Sequence, residues 1–154
     1  MKHSKAPTAP KLSKLSKQTQ QQSTITAIAT SYGQGSISII RISGQNSLKY
    51  ALTLINPQIT KTINAQKKPI ELKPKIATLC CLYDNKNELL DEAICIYFKS
   101  PHSYTGEDVI ELQCHGGSMV SQMVLKNLYA LGAECAKNGE FSKRAFLNNK
   151  IDLA

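Results

Sequence analysis

At 154 residues, with 42% apolar and 19% charged side chains, the chain is sized for one ordinary globular domain, since such domains commonly run to about 100–150 residues. No apolar run approaches the roughly 20 residues that span a bilayer, which excludes a transmembrane helix and gives the expectation of no membrane partner. The net charge of +8 invites a nucleic-acid partner, but Lys2, Lys5, Lys11, Lys14 and Lys17 supply five of those charges from an acid-free stretch, so the rest of the chain is only mildly basic.

Residues 1–22 are built from Lys, Ser, Gln, Thr and Pro with few aliphatics, too little apolar surface to offset the entropy of ordering, and read as a disordered basic tail. An organelle presequence is the sharper alternative, but Arg is absent there and no amphipathic period is visible. The five cysteines are odd in number, form no C-x-x-C pair and follow no apolar signal segment. They are expected to be free thiols in a reducing, cytoplasmic setting.

From residue 23 the pattern is that of a folded domain. Ile25, Ala27 and Ala29 alternate with threonines, and Ile37, Ile39, Ile40 and Ile42 form a β-branched run, predicting two strands around the Ser31-Tyr32-Gly33-Gln34-Gly35 loop. Leu48, Ala51, Leu52 and Ile55 recur at helical spacing until Asn56-Pro57. Residues 56–75 are polar and lysine-rich and read as a long loop. Ile76–Tyr83 and Leu89–Phe98, separated by Asp84-Asn85-Lys86-Asn87, predict a β-hairpin, and Val109–Cys114 a further strand. After Gly116-Gly117, the residues Val120, Met123, Val124, Leu128 and Leu131 share one helical face before Gly132. A brief strand at Ala133–Ala136 leads to a short helix within residues 139–148. Strands dominate without a regular β-α-β alternation, so the fold class is α+β: a mixed or antiparallel β-rich domain with two to three helices.

Three ionic residues stand out. In Val109-Ile110-Glu111-Leu112-Gln113 the alternation puts Glu111 on the face opposite Ile110 and Leu112. It is either a solvent-facing acid or a carboxylate suited to a ligand with two adjacent N–H donors, as a pterin edge has. Arg41 shares a strand face with Ile37 and Ile39, and needs as partner either an internal acid or an anionic or carbonyl-bearing ligand. Lys150 follows the Asn148-Asn149 turn, where it is either solvated or meets a carboxylate. Gly116-Gly117 before a helix could bring backbone N–H groups to an anion, or simply make the strand-to-helix turn. Cys114 and His115, as strand neighbours, face opposite ways and make no thiol–imidazole pair. Cysteine and histidine spacing supports no metal site, and no G-x-x-x-x-G-K-[ST] loop is present to hold nucleotide phosphates.

Ile40-Arg41-Ile42-Ser43-Gly44, Lys73-Pro74-Lys75, Tyr104-Thr105-Gly106-Glu107-Asp108, Glu111-Leu112-Gln113, His115-Gly116-Gly117, Gly139-Glu140-Phe141-Ser142, Arg144-Ala145-Phe146-Leu147-Asn148 and Lys150-Ile151-Asp152-Leu153-Ala154 are ordered blocks. Together they resemble the N-terminal domain of the tRNA modification GTPases called MnmE or TrmE, over about residues 24–154. The resemblance implies a fold similar to the folate-binding part of aminomethyltransferases, binding of 5-formyltetrahydrofolate, and a homodimer contact. It carries the family's folate-binding arginine, glutamate and lysine onto Arg41, Glu111 and Lys150. It further implies, in the complete protein, GTP, K+ and Mg2+ in a separate GTPase domain, an MnmG or GidA flavoprotein partner, and tRNA modified at the wobble uridine, U34. The chain alone is not expected to be catalytic.

Departures from the family pattern are visible. Ser31-Tyr32-Gly33-Gln34-Gly35 stands where the family usually reads Pro-Pro-Gly-Arg-Gly, Cys114 replaces a usual glycine and Asn138 a usual proline. Asp152 reads as the N-cap of a further helix, which favours a truncated frame over a stand-alone module. The competing readings are a small basic RNA-binding protein using the tail and the 61–75 loop, and a stand-alone aminomethyltransferase-like enzyme with Asp108 as its candidate acid or base.

Overall fold

The computed structural model describes residues 22–31, 35–55 and 69–152. The basic tail and most of the lysine-rich loop expected at 56–75 lie outside the described residues. Six strands form a single sheet in the order β3-β4-β5-β2-β1-β6. They are β1 (Ile25–Ile28), β2 (Ile37–Ser43), β3 (Ala77–Tyr83), β4 (Leu89–Phe98), β5 (Val109–His115) and β6 (Glu134–Cys135), with helices α1 (Ser47–Ile55), α2 (Ser118–Ala130) and α3 (Glu140–Leu147). Every pairing is antiparallel except β1 with β6. The domain is α+β, as the sequence pattern predicts.

The period-2 pattern of β2 decides its two faces. Ser38, Ile40 and Ile42 turn inward and are buried, as do Ile110, Leu112 and Cys114 on β5, and Ala93, Cys95 and Tyr97 on β4. Tyr50, Ala51, Leu54 and Ile55 of α1 and Val124, Leu125 and Leu128 of α2 pack with them into one cluster. Each fully buried aliphatic side chain contributes about 1.5–3 kcal/mol. Cys80, Cys95 and Cys114 are free thiols within this core. Burial pushes the Cys80 thiol up to about 11 and Cys114 to about 12, and Cys95 higher still, so all three remain protonated and unreactive.

Two details differ from the periodic reading. On β1, Thr26 is buried along with Ile25, as is Thr24 just before the strand, because this short strand runs inside the sheet between β2 and β6 and also packs against α2. On α2 the inward stripe is Ser121, Val124, Leu125 and Leu128, while Met119 and Met123 face out at 72% and 41% exposure. A hydrogen bond of 2.8 Å between the Ser121 and Ser38 hydroxyls holds that polar residue on the inner face. The helix is thereby rotated relative to the stripe that hydrophobicity alone marks, with Val120 and Leu131 left at the edge of the core.

Opposite α1 and α2, the other sheet face carries Ile37, Ile39 and Arg41 of β2 beside His115, Gln113 and Glu111 of β5 and Ile94 and Ile96 of β4. Ile37, Leu79 and Ile94 are 58%, 64% and 38% exposed on this side. Near Arg41 it is partly screened by the loop of residues 99–108 and by α3, as the Tyr104 and Phe141 contacts described next show.

Candidate functional site

The antiparallel register of β2 and β5 sets Arg41 directly opposite Glu111. Residues facing each other on one side of such a pair have side chains within contact distance, and opposite charges there attract. Arg41 Nε and Nη2 both donate to Glu111 Oε1, at 3.0 and 2.8 Å. The two side chains stay 26% and 18% exposed, so the pair is reachable from solvent. The Arg41 guanidinium carbon also lies over the Tyr104 ring at 5.3 Å and over the Phe141 ring at 5.7 Å, the geometry of cation–π attraction.

What brings those rings to Arg41 is a second ionic cluster. Arg144 of α3 is buried and donates to both carboxylate oxygens of Glu107 at 3.2 Å, to Glu140 Oε1 at 2.9 Å and to the Ser23 carbonyl at 2.8 Å. Glu107 also accepts from Ser43 Oγ at 2.7 Å, and the Ser43 and Thr105 hydroxyls are 2.7 Å apart. Helix α3, the 99–108 loop and the end of β2 are thus tied together, and Phe141 and Tyr104 follow from that tie. The hydroxyls of Tyr104 and Ser142 close the gap at 3.0 Å. Around Glu140, burial pushes the carboxyl up, but the Lys137 N–H and the Arg144 guanidinium outweigh it and hold the group below its ordinary value of 4.5.

Lys150 reaches the same loop from beyond α3. Its Nζ donates to the Pro101 carbonyl at 2.9 Å, and its aliphatic stem lies so close to Gly106 that a Cβ there would sit 3.3 Å from it and 2.9 Å from Asn148. Asn148 in turn donates to the Thr105 carbonyl at 2.7 Å. Of the three residues expected to bind ligand, Arg41 and Glu111 are therefore in contact, while Lys150 is joined to them through the loop that carries Tyr104.

Other candidates have structural occupations. Asp108 accepts from the Ser100 N–H at 2.8 Å and the Tyr97 hydroxyl at 3.1 Å. Burial, and then this carboxylate, push the Tyr97 phenol up to about 12. Cys114 is buried while the His115 side chain is 73% exposed, so the two do face apart. His115 instead pairs with Asp91, Nδ1 to Oδ1 at 2.7 Å, a contact that strand alternation did not reveal. At Gly116 a Cβ would fall 1.6 Å from the Gly35 carbonyl oxygen, so this glycine is required by the close approach of the segment before β2. A cavity of about 280 Å³ beside it is lined by residues including Thr30, Ser31, Gly117, Ser118 and Ser121. Among the described residues no cluster of three or more His, Cys, Asp or Glu is placed to hold a metal ion, and no helix is long and apolar enough to cross a membrane.

Fold and site define an α+β domain that presents an ion pair, two aromatic rings and a nearby lysine at one end of the sheet face opposite α1 and α2. Comparison with known proteins gives the family. The model of the GTP-binding protein TrmE N-terminus matches residues 24–150. The chain is 52% identical over 135 residues to a tRNA modification GTPase MnmE from a Nitratiruptor species, covering 88% of this chain and 28% of that protein. It is 53% identical over 130 residues to the protein of that name from Aliarcobacter butzleri, covering 84% and 26%. With the one from Legionella pneumophila (strain Corby) it shares 50% over 130 residues, covering 84% and 26%. The chain belongs to the family of TrmE N-terminal domains. It spans about a quarter of the length of the curated relatives it matches.

Three features of the candidate site escaped the sequence reading. Arg144 entered only as part of a motif, whereas it is the buried tie that fixes α3. Tyr104 and Phe141 entered as motif letters, yet both rings contact Arg41. Their common signal is the density of aromatic and ionic residues in 104–111 and 139–150.

Proposed function

We propose that the chain is the module that binds 5-formyltetrahydrofolate and self-associates in a GTPase that modifies the wobble uridine of tRNA. The single observation that carries this reading is the solvent-reachable Arg41–Glu111 pair, framed by Tyr104 and Phe141, in a member of the TrmE N-terminal family. The site fits the cofactor's chemistry. Glu111 offers a carboxylate to the two adjacent N–H donors of the pterin edge. Arg41, beside Glu111, orients or neutralises the bound cofactor, and Lys150 meets an anionic or carbonyl group on it. A bound folate supplies a one-carbon unit, and the work of these residues is to hold and orient it, a proximity effect with no acid–base step.

Self-association is supported by the sheet face on which Ile37, Leu79 and Ile94 stand exposed among the described residues. GTP, with K+ and Mg2+, belongs in this proposal to a GTPase domain elsewhere in the complete protein, because this chain has no phosphate-binding glycine loop. The MnmG or GidA flavoprotein and tRNA are its partners in that context, in the cytoplasm.

The test is calorimetric titration with 5-formyltetrahydrofolate. The unaltered chain binds, Glu111→Gln loses binding by about two orders of magnitude through removal of a charge-assisted pair, and Lys150→Ala weakens it less. Absence of binding by the folded, unaltered chain overturns the folate assignment.

A further inference from the structure

Arg41 rests two donors, Nε–H and Nη2–H, on a single oxygen of Glu111, with its flat guanidinium over two aromatic rings. A pterin presents the same pattern. Its 2-amino group and ring N3–H are adjacent donors on a flat frame, and the N–C–N unit they belong to is itself a guanidine. A carboxylate that fits one fits the other, and an aromatic face that attracts a guanidinium also stacks on a heterocycle.

We propose that Arg41 fills the slot bounded by Glu111, Tyr104 and Phe141 as an internal stand-in for the ligand, and that a cyclic guanidine of the 2-amino-4-oxopyrimidine class enters by displacing it. This rests on the folate reading and deepens it by naming Tyr104 and Phe141 as the residues that select a flat ring.

The surroundings favour such an exchange. Arg41 is about one quarter exposed, so its guanidinium can turn toward water. Glu111 trades one pair of N–H donors for another. Neither wall of the slot depends on Arg41, because α3 is tied to the loop by Arg144 and Glu107, and Tyr104 to α3 through Ser142. The apparent affinity is then lowered by the fraction of molecules in which Arg41 occupies the slot.

The test titrates the full chain with bare 6-methyltetrahydropterin, which carries the ring without the glutamate tail, alongside 5-formyltetrahydrofolate. Arg41→Ala is expected to bind the bare pterin roughly tenfold tighter than the unaltered chain. Tyr104→Leu and Phe141→Leu are expected to bind it at least about fivefold more weakly, whereas Tyr104→Phe and Phe141→Tyr retain binding. Unchanged or weaker binding in Arg41→Ala overturns the displacement, and unchanged binding in the leucine variants overturns the aromatic slot. Should those variants not fold, proton spectra of the pterin bound to the unaltered chain decide instead. Upfield ring-current shifts support the slot, and their absence overturns it. If the unaltered chain binds 5-formyltetrahydrofolate while these expectations fail, the slot falls alone. If it binds neither compound, the folate reading falls first.

Discussion

Two arginines reach the loop of residues 99–108, Arg144 from α3 and Arg41 from β2, and they are held in different ways. Arg144 is 5% exposed and spreads its donors over Glu107, Glu140 and the Ser23 carbonyl. Arg41 is 26% exposed and gives two donors to one oxygen. A buried charge cannot leave its partners without a penalty of several kcal/mol, whereas one that already reaches solvent is exchanged with water at lower cost. The same side chain thus serves as a fixed tie in one place and as a replaceable occupant in the other.

The comparison breaks most decisively at the tie. Arg144→Ala strands Glu107 without its guanidinium and should lower unfolding free energy by about 3–5 kcal/mol in urea titrations. Acid offers the next lever. Because Glu140 is held below its ordinary value in the fold, its contribution is present at neutral pH and is lost as pH falls through that depressed value. Melting temperature should therefore drop on acidification below about pH 4, and less steeply in Glu140→Gln. Arg41→Ala should change stability by less than about 1 kcal/mol in the same urea experiment. A loss as large as that of Arg144→Ala would erase the distinction between the two arginines. The smallest effect is expected from Ser142→Ala, which removes an exposed hydrogen bond worth roughly 0.5 kcal/mol or less and leaves the rings in place.

Alternation along β2 and β5 was enough to set Arg41 and Glu111 apart from the core residues on either side of them. That they face each other is a property of strand register, which depends on long-range pairing and is not written in either segment alone. The hairpin of β3 and β4 was legible because a polar turn separates two largely apolar runs. The inward face of α2 was not, since a serine hydrogen bond outranks two exposed methionines there. Buried Thr24 and Thr26 were hidden for a similar reason, as threonine's polarity masks its fit to an internal strand. The aromatic contacts on Arg41 depend on a loop and a helix held by Arg144, and only three-dimensional closure brings them together.

Gly116 leaves the Gly35 carbonyl no room for even a methyl group. The turn into α2 and the approach to β2 are consequently a matched pair of parts. A loop transplanted from a relative into positions 31–35 will seat only if it returns that carbonyl to the same spot. Any residue larger than glycine at 116 would push the two segments apart and spread the entrance of the sheet.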